Sequence, residues 1–308
     1  MTFRGVRRRL GFMGIVIDDI TTADIPHYLE FLRAGFGGPL SDLGTDLGFV
    51  SRILRGLLCA RGAPLRAVKR IAGYEAFVLI ARHAGRPIGC LTVVGRKSPS
   101  LTGVYVIPEF RGQGIASRLI ETAVNRLRQA GYVEAHATPL NAIAQHLVEK
   151  VGFVPYSSTA AYERLLPLEL PAEPEFTIRR LHAGDLGGRC EQHGRPYDLG
   201  PIGRLFGIRT RRLAAVGPDG AAVAALLFAI HREQVGEVRP LLLRSGGEAG
   251  LIPILAEADR WYRRLGKEKI GLYVEEGDKP LGEIAQALGF TYTRSWTHLI
   301  LKLNGGAD

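Results

Sequence analysis

The segment Arg111-Gly112-Gln113-Gly114 places a cationic side chain and two glycines directly before an apolar-periodic stretch. Glycine adopts backbone conformations that other residues resist, and the first turn of a helix leaves N–H groups without intrahelical partners. Those N–H groups, the helix dipole and Arg111 would together bind an anion. The alternative is a tight turn that needs small residues only for packing. The segment has neither the Lys-Ser/Thr of a P-loop nor the third glycine of a dinucleotide-binding loop.

A strand before this segment and a helix after it would hold the candidate anion site in place. The β-branched and aromatic run from Val104 to Ile107 predicts a buried strand, which ends at Pro108 because proline cannot donate to a ladder. The helix is predicted to run from Ile115 to Ala130. Its apolar positions recur at helical spacing: Ile115, Ala116, Leu119, Ile120, Ala123, Val124 and Leu127.

A second helix is predicted downstream, after a strand over Val133–Thr138. Asn141 is placed to cap that helix, and Gly152 suits its C-terminal end. Residues 105–116, Tyr-Val-Ile-Pro-Glu-Phe-Arg-Gly-Gln-Gly-Ile-Ala, resemble the acyl-CoA-binding motif of the GNAT N-acetyltransferase superfamily. Residues 141–153, an Asn-initiated helix that ends in Gly-Phe, resemble the second signature of that family.

The resemblance implies that acetyl-CoA is the co-substrate and that no metal takes part. Backbone groups of the strand would pair with the pantetheine arm, and an N–H there would polarise the acetyl carbonyl. The implied cofactor-binding residues are Val104, Tyr105, Val106, Arg111, Gly112, Gln113, Gly114, Ile115, Ala116, Ser117 and Asn141.

The catalytic residues are less clear because the family's usual acid, a Tyr on the second signature helix, is Val148 in this chain. His146, Tyr105 and His136 are the candidate substitutes, with Tyr156 also within sequence reach. For His136 the alternative is a hydrogen-bonded core residue. Near the motif strand the sequence has Ser98, Ser100 and Thr102 but no carboxylate, so a water relay is expected to deprotonate the amine.

At 308 residues the chain suits two units, and the order of predicted elements repeats. We expect an α/β (α+β) protein with two tandem GNAT-like domains, each with a mixed, mostly antiparallel central sheet flanked by helices. The predicted boundaries are a first domain over residues 1–166, a proline-rich linker over 167–175 and a degenerate second domain over 176–308. In the second copy, Glu248 and the absence of the Arg-Gly-x-Gly spacing argue against CoA binding, although Gly246 and Gly247 could form a looser anion nest.

In the first unit, an early helix is predicted to end near Ala34, where several glycines begin an irregular connection. Phe49 to Cys59 then predicts a second helix. The resemblance implies that these helices and their loop form a wall of the acceptor pocket. The alternative is a solvated connection.

Composition limits the remaining function classes. The net charge of +10 would attract polyanions or an anionic cofactor, but the arginines are scattered, so no specific nucleic-acid partner is expected. Cys59, Cys90 and Cys190 are isolated, which argues against a disulfide framework or a zinc site. No segment has the length and apolarity of a membrane span, and a cytoplasmic monomer or homodimer is expected.

Three functions are consistent with the sequence. The first is an N-acetyltransferase that moves an acetyl group from acetyl-CoA to a small-molecule amine, a protein N-terminus or a lysine, by direct transfer in a ternary complex. The second is a non-catalytic acyl-CoA sensor, which the missing Tyr at Val148 keeps open. The third is a nucleic-acid-associated protein, which the intact glycine segment disfavours.

Overall fold

The computed structural model describes residues 14–42, 75–95, 98–171, 175–180, 208–218, 222–230, 234–242 and 248–303. The helix expected over Phe49–Cys59 lies outside these residues, as do Cys190, Gly246 and Gly247. The strands are β1 Ile15–Asp19, β2 Glu75–His83, β3 Arg86–Gly95, β4 Ser100–Val106, β5 Glu134–Ala137, β6 Val154–Leu165, β7 Thr177–Arg180, β8 Ile208–Val216, β9 Ala222–Ile230, β10 Val235–Leu242, β11 Lys269–Glu275 and β12 Thr291–Lys302.

Five α-helices connect these strands within the described residues. They are α1 Ile25–Asp42, α2 Ile115–Gln129, α3 Ala142–Lys150, α4 Leu251–Arg264 and α5 Lys279–Ala287. The strands form one sheet in the order β1-β2-β3-β4-β5-β12-β6-β11-β10-β9-β8-β7. Most pairings are antiparallel, whereas β4 pairs with β5 and β10 pairs with β11 in parallel. The mixed, mostly antiparallel sheet with flanking helices confirms the expected fold class.

The two units exchange their last strands at the centre of the sheet. Strand β12, at the C-terminal end, pairs with β5 of the first unit, while β6 pairs with β11 of the second unit. Strands β12 and β6 also pair with each other, so they join the two half-sheets into one. The backbone N–H of Leu303 donates to Val133 O at 2.8 Å, which fixes the end of β12 to the first unit. The linear boundary near residue 166 stays a prediction, since the strands on either side of it cross between units.

Helix α2 forms for the reason that its sequence predicts. Six of its seven predicted apolar residues lie in the core, where they pack against one face of the first half-sheet, and Ala116 is half-buried: the six are Ile115, Leu119, Ile120, Ala123, Val124 and Leu127. Leu101, Ala135 and Ala137 supply the sheet side of that contact. Gly131, with φ of 83°, follows the end of the helix, as expected for a glycine C-terminal signal. The predicted limits of this helix are confirmed to within one residue.

Helix α1 covers the opposite face of the same half-sheet and is longer than predicted. The expected break at Gly35 does not occur, and the helix continues to Asp42. A Cβ on Gly35 would lie 2.8 Å from the Tyr105 ring, so glycine here permits close packing between helix and strand rather than a turn. We call the sheet face that α1 covers the α1 face; Val78, Ile80, Cys90 and Tyr105 lie on it.

The turn that leads into α1 is held by a buried ion pair. Arg82 donates to both carboxylate oxygens of Asp24, at 2.6 and 2.5 Å, and Thr21 donates to the same carboxylate. Burial by itself would raise the pKa of Asp24, but these hydrogen bonds outweigh it and lower the pKa to about 2. The Asp24 side chain is 4% exposed. This pair therefore connects the start of α1 to β2 in the ionised state.

No helix within the described ranges is long and apolar enough to cross a membrane. Among the same residues, no group of His, Cys, Asp and Glu side chains has the arrangement of a metal site. Cys90 is buried, and burial raises the pKa of its thiol to about 12, so this cysteine packs as an apolar residue.

Candidate active site

An opening in the sheet lies between β4 and β5. The two strands pair at only two positions, Ser100 with His136 and Leu101 with Ala137, and then diverge. On its other edge β4 remains paired with β3 as far as Val106, with an irregularity opposite Leu91. From residue 102 to residue 106, β4 therefore presents backbone groups that β5 does not use. Main-chain groups at such an edge are available to an extended ligand.

The glycine segment follows the open end of β4. Gly112 and Gly114 have φ of 75° and 72°, and Gly114 is the N-cap of α2. The first bond inside the helix runs from Arg118 N to Gly114 O, so the N–H groups of residues 115–117 precede it. A Cβ at Gly112 or Gly114 would meet no protein atom within 4 Å. The glycines therefore serve backbone conformation and leave space in front of the helix N-terminus.

Arg111 lies beside this N-terminus, and its side chain is fixed by contacts with β4. Its Nε donates to Val106 O at 2.9 Å, and the guanidinium carbon lies 5.5 Å from the centre of the Tyr105 ring. The residue is exposed, so its terminal nitrogens face solvent rather than the core. A fixed cation next to a helix N-terminus favours a doubly charged anion such as a pyrophosphate.

Apart from Asn141, the other predicted cofactor residues lie along the same path. Ile115 is buried, while Ala116 and Ser117 are half-buried in the first turn of α2. On β4, Val104 and Val106 face the α2 core, and Tyr105 points to the α1 face, where its ring lies 5.5 Å from that of Phe31. Asn141 caps α3, with Oδ1 accepting from Ala144 N at 2.9 Å. The assignment of these residues to a cofactor stays a prediction, and their common position supports it.

The second signature helix does not supply an acid to the opening. Val148, at the position of the family's Tyr, is 5% exposed and belongs to the core between α2 and the sheet. His146 is exposed on α3. Neither of the sequence candidates His146 and Tyr105 has a described hydrogen bond to His136. The three proposed catalytic residues therefore do not form one cluster.

His136 instead belongs to a hydrogen-bonded group on the α1 face. Ala135 and Ala137 point into the α2 core, so His136 between them points to the other side of β5. Its Nε2 lies 3.2 Å from Glu134 Oε1, and its Nδ1 lies 3.2 Å from the Tyr156 hydroxyl. The His136 side chain is 7% exposed, whereas Tyr156 is 39% exposed. Tyr156 thus links a buried imidazole to solvent.

Glu134 is ionised in this group. Lys302 Nζ lies 2.8 Å from Oε2, and the Ser98 hydroxyl donates to Oε1 at 2.7 Å. Burial by itself would raise the pKa of Glu134, but the hydrogen bonds from Lys302, Ser98 and His136 outweigh it and lower the pKa to about 2. Glu134 is not among the residues predicted from the sequence, because it lies on β5 and is far from β4 along the chain. A period-two reading of β5, with Glu134 and His136 on one face, would have found it.

His298 on β12 extends the group to the second unit. Its Nδ1 lies 2.9 Å from the Thr138 hydroxyl and its Nε2 lies 2.7 Å from the Thr159 hydroxyl. Its ring centre is 6.3 Å from that of Tyr156. Strand β12 was not predicted, so no sequence signal placed His298 beside β5. Only the strand exchange brings these residues together.

The second unit has a similar divergence of parallel strands but different side chains there. Strands β10 and β11 pair from Val235 with Lys269 to Val238 with Leu272 and then separate. Directly after these pairs, the guanidinium carbon of Arg239 lies 4.9 Å from the centre of the Tyr273 ring, and Tyr273 stacks on Trp296 with ring centres 5.7 Å apart. The loop after β10 lies outside the described residues, so the predicted absence of a CoA site there stays a prediction.

Comparison with known proteins identifies the pattern. The sequence model of the acetyltransferase (GNAT) family matches residues 61–153, which include β4, the glycine segment, α2 and α3. No curated protein matches the sequence closely enough to count as a relative. The match covers the opening described above, and it supports acyl-CoA-dependent acetyl transfer as the general class of activity.

Solved structures share the fold along almost the whole chain. A tandem GNAT protein from the clavulanic acid biosynthesis pathway is 16% identical, with a TM-score of 0.60 over 96% of this chain and 100% of its own. A putative acetyltransferase from Pyrococcus horikoshii is 16% identical, with a TM-score of 0.61 over 97% of this chain and 93% of its own. A GCN5-related N-acetyltransferase from Sphaerobacter thermophilus is 16% identical, with a TM-score of 0.59 over 96% and 97%. At this identity the likeness establishes the fold.

Proposed function

We propose that this chain, which matches the GNAT family model over residues 61–153 and shares the fold of a tandem GNAT protein, belongs to the GNAT superfamily and is an acyl-CoA-dependent N-acetyltransferase. It would move an acetyl group from acetyl-CoA to an amine by direct transfer in a ternary complex. The acceptor would be a small molecule, a protein N-terminus or a lysine. The first unit would carry the reaction, and the second would complete the acceptor side of the site.

One observation carries this proposal: the opening between β4 and β5 ends at the glycine segment. The pyrophosphate of CoA would lie at the N-terminus of α2 beside Arg111, and the pantetheine arm would extend along residues 102–106 of β4. This path leads the thioester to the point where β4 and β5 separate, next to Leu101 and Ala137. A backbone N–H at that point would stabilise the oxyanion of the tetrahedral intermediate.

The acceptor would approach from the α1 face. Tyr28 and Phe31 of α1 are buried against this face, where the Tyr28 hydroxyl lies 2.9 Å from that of Thr92, and Tyr105 of β4 is half-buried beside them. Of these three, Tyr105 is accessible, and an aromatic side chain with a polar tip suits a small organic amine or an extended peptide. His136 and Tyr156 lie on the same face, so the amine and the group that receives its proton would meet there.

The test is a transfer assay with a binding control. Purified protein is incubated with acetyl-CoA and a panel of alkyl diamines, amino sugars, amino acids and short peptides, and released thiol and acetylated product are both measured. We expect equal amounts of thiol and acetylated amine with at least one acceptor class. Calorimetry with acetyl-CoA should give one site per chain. Absence of acetyl-CoA binding would contradict the proposal.

The core position of Val148 favours a second candidate, an acyl-CoA-binding sensor without turnover. A chain that lacks the family's acid could hold the ligand and respond to it structurally. The same assay separates the two: tight acetyl-CoA binding with no product from any acceptor would support the sensor. Thiol release with acetylated product would exclude it.

The remaining assignments are part of the same proposal. The domains would be residues 1–166 and 176–308 with a linker between them, although β6 and β12 complete each other's half-sheets. We also propose a cytoplasmic location, which the three isolated cysteines support, and no specific nucleic-acid partner, because the arginines are dispersed.

A further inference from the structure

We propose that Glu134, His136 and Tyr156 form a proton relay in which the Tyr156 hydroxyl takes the proton of the acceptor amine. This inference rests on the proposed function and names the catalytic base of that site. The sequence predicts a water relay there, because β4 itself contains no carboxylate. The relay provides a base from β5 and β6 instead.

The geometry gives a continuous chain of hydrogen bonds. Glu134 Oε1 lies 3.2 Å from His136 Nε2, and His136 Nδ1 lies 3.2 Å from the Tyr156 hydroxyl. The His136 and Tyr156 rings are 5.3 Å apart and nearly perpendicular, at 89°, so the phenol meets the imidazole at its edge. The carboxylate end is shielded, with its side chain 22% exposed, and the phenol end is the most accessible at 39%.

The direction of proton flow follows from the charge on Glu134. Lys302 and Ser98 hold this carboxylate ionised, so it accepts and does not donate. His136 Nε2 must then carry the hydrogen of that bond, which leaves Nδ1 as the acceptor for the Tyr156 hydroxyl. A phenol that donates to a neutral imidazole can pass its proton on while its oxygen receives another.

The relay lies where the reaction would occur. His136 pairs with Ser100 of β4, one position before the strands diverge, and it faces the α1 side of the sheet. Tyr156 is the residue at the irregularity between β6 and β12, where Ser157 pairs with His298 and Pro155 with Leu299. The extra residue turns the phenol out of the ladder, so that its hydroxyl reaches the edge of the imidazole.

The second unit shows that the fold does not require these residues. The last parallel pairs of β4 with β5 correspond to Glu237 with Gly271 and Val238 with Leu272 in β10 and β11. Gly271 therefore occupies the position of His136, and Lys269 that of Glu134. The second half-sheet forms with no imidazole, and with the opposite charge, at these positions. The group in the first unit is thus explained by function better than by folding.

The transfer would form one N–C bond and break one C–S bond. The neutral amine nitrogen attacks the thioester carbonyl carbon, and an N–C bond forms. As the nitrogen loses its proton to the Tyr156 oxygen, the phenol proton moves to His136 Nδ1, and the imidazolium is stabilised by Glu134. The C–S bond then breaks, and the same proton returns through Tyr156 to the leaving thiolate. The products are the amide and CoA thiol, with no net proton taken from solvent.

The charged surroundings define a pH signature. Facing the imidazole are Glu134 from β5 and the Tyr156 phenol from β6, with Lys302 and His298 of β12 in contact with those two groups. Once the imidazole is protonated, Nδ1 no longer accepts from Tyr156, and the relay stops. Activity at low pH would therefore require two deprotonations, that of the acceptor ammonium and that of the imidazole. The slope of log(kcat/KM) against pH would approach two on the acid side.

The experiment compares Tyr156→Phe and His136→Gln with a matched control, Tyr292→Phe. Tyr292 is also an exposed tyrosine at the β6–β12 pairing, but it packs on Tyr162 in the second unit. We expect Tyr156→Phe to lower kcat by about 10²- to 10⁴-fold without changing the dissociation constant of acetyl-CoA. His136→Gln should reduce the acid-side slope from two to one. Tyr292→Phe should leave both unchanged.

Nuclear magnetic resonance gives a readout that is independent of turnover. The ring nitrogen shifts of His136 in the intact chain should show hydrogen on Nε2 and not on Nδ1, and Tyr156→Phe should shift the Nδ1 signal. Equal kcat for wild type and Tyr156→Phe, or a hydrogen on Nδ1, would overturn the relay alone. Failure of the wild type to acetylate any amine would overturn the relay together with the proposed transferase function.

Discussion

A substitution at Gly114 tests the anion site most directly. Gly114 has φ of 72° at the N-cap of α2, and a Cβ there meets no protein atom within 4 Å. Asp and Asn both tolerate this backbone region and both cap helices, so neither should unfold the protein. The two variants differ by one charge at nearly constant shape. The difference in acetyl-CoA binding free energy between Gly114→Asp and Gly114→Asn therefore measures the effect of the charge alone.

The size of the effect follows from the expected distance to the pyrophosphate. A carboxylate at the N-cap would lie about 4 Å from a phosphate bound at the helix N-terminus, where two like charges repel by about 1 to 4 kcal/mol between bulk water and a protein surface. This corresponds to a Kd for acetyl-CoA about 5- to 1,000-fold weaker in Gly114→Asp than in Gly114→Asn. The difference should shrink as salt increases, because the site is exposed.

The assay is calorimetry with acetyl-CoA at two salt concentrations, with circular dichroism to confirm that both variants fold. Gly114→Asn should bind acetyl-CoA less tightly than wild type if the pyrophosphate lies close enough to the glycine to contact the added side chain. Equal affinities of the Asp and Asn variants would refute the placement of the pyrophosphate at α2. The opening between β4 and β5 would then need another explanation.

Three further predictions concern stability. The pKa of Asp24 is about 2 in the folded chain and 3.8 in an unperturbed carboxyl, so the ionised pair stabilises the fold above pH 4. About 2 kcal/mol of the free energy of unfolding should be lost between pH 4 and pH 2. In urea unfolding, the free energies of wild type and Asp24→Asn should approach each other by that amount over this range. Val148→Tyr should lower the melting temperature without raising the rate, because the position is 5% exposed and a larger ring overpacks the core; a faster, equally stable variant would contradict this. A chain that ends at Leu166 lacks β12 and exposes the edge of β5, so it should not give a cooperative thermal transition unless residues 167–308 are supplied.

Local signals in the sequence were sufficient for much of the first unit. The apolar spacing of α2, the glycines beside it and the Asn141 cap each act within a few residues, and the structure confirms the elements that they predict. The hairpin of β2 and β3 is likewise local, since its strands are joined by a turn at Ala84 and Gly85. The predicted end of α1 near Gly35 was wrong, because a glycine that close packing requires inside a helix looks the same in the sequence as a glycine in a turn.

The sequence by itself determined the glycine loop that we propose as an anion site, since its conformation depends on glycines and a helix start that are adjacent in the chain. The tertiary structure decided the rest of the site. Glu134 and His136 are two residues apart, but Tyr156 and Lys302 reach them only because β6 and β12 exchange between the half-sheets. Such pairing depends on long-range strand register, which no local pattern encodes. The proposed cofactor site could therefore be predicted from the sequence, whereas the proposed proton relay could be found only in the fold.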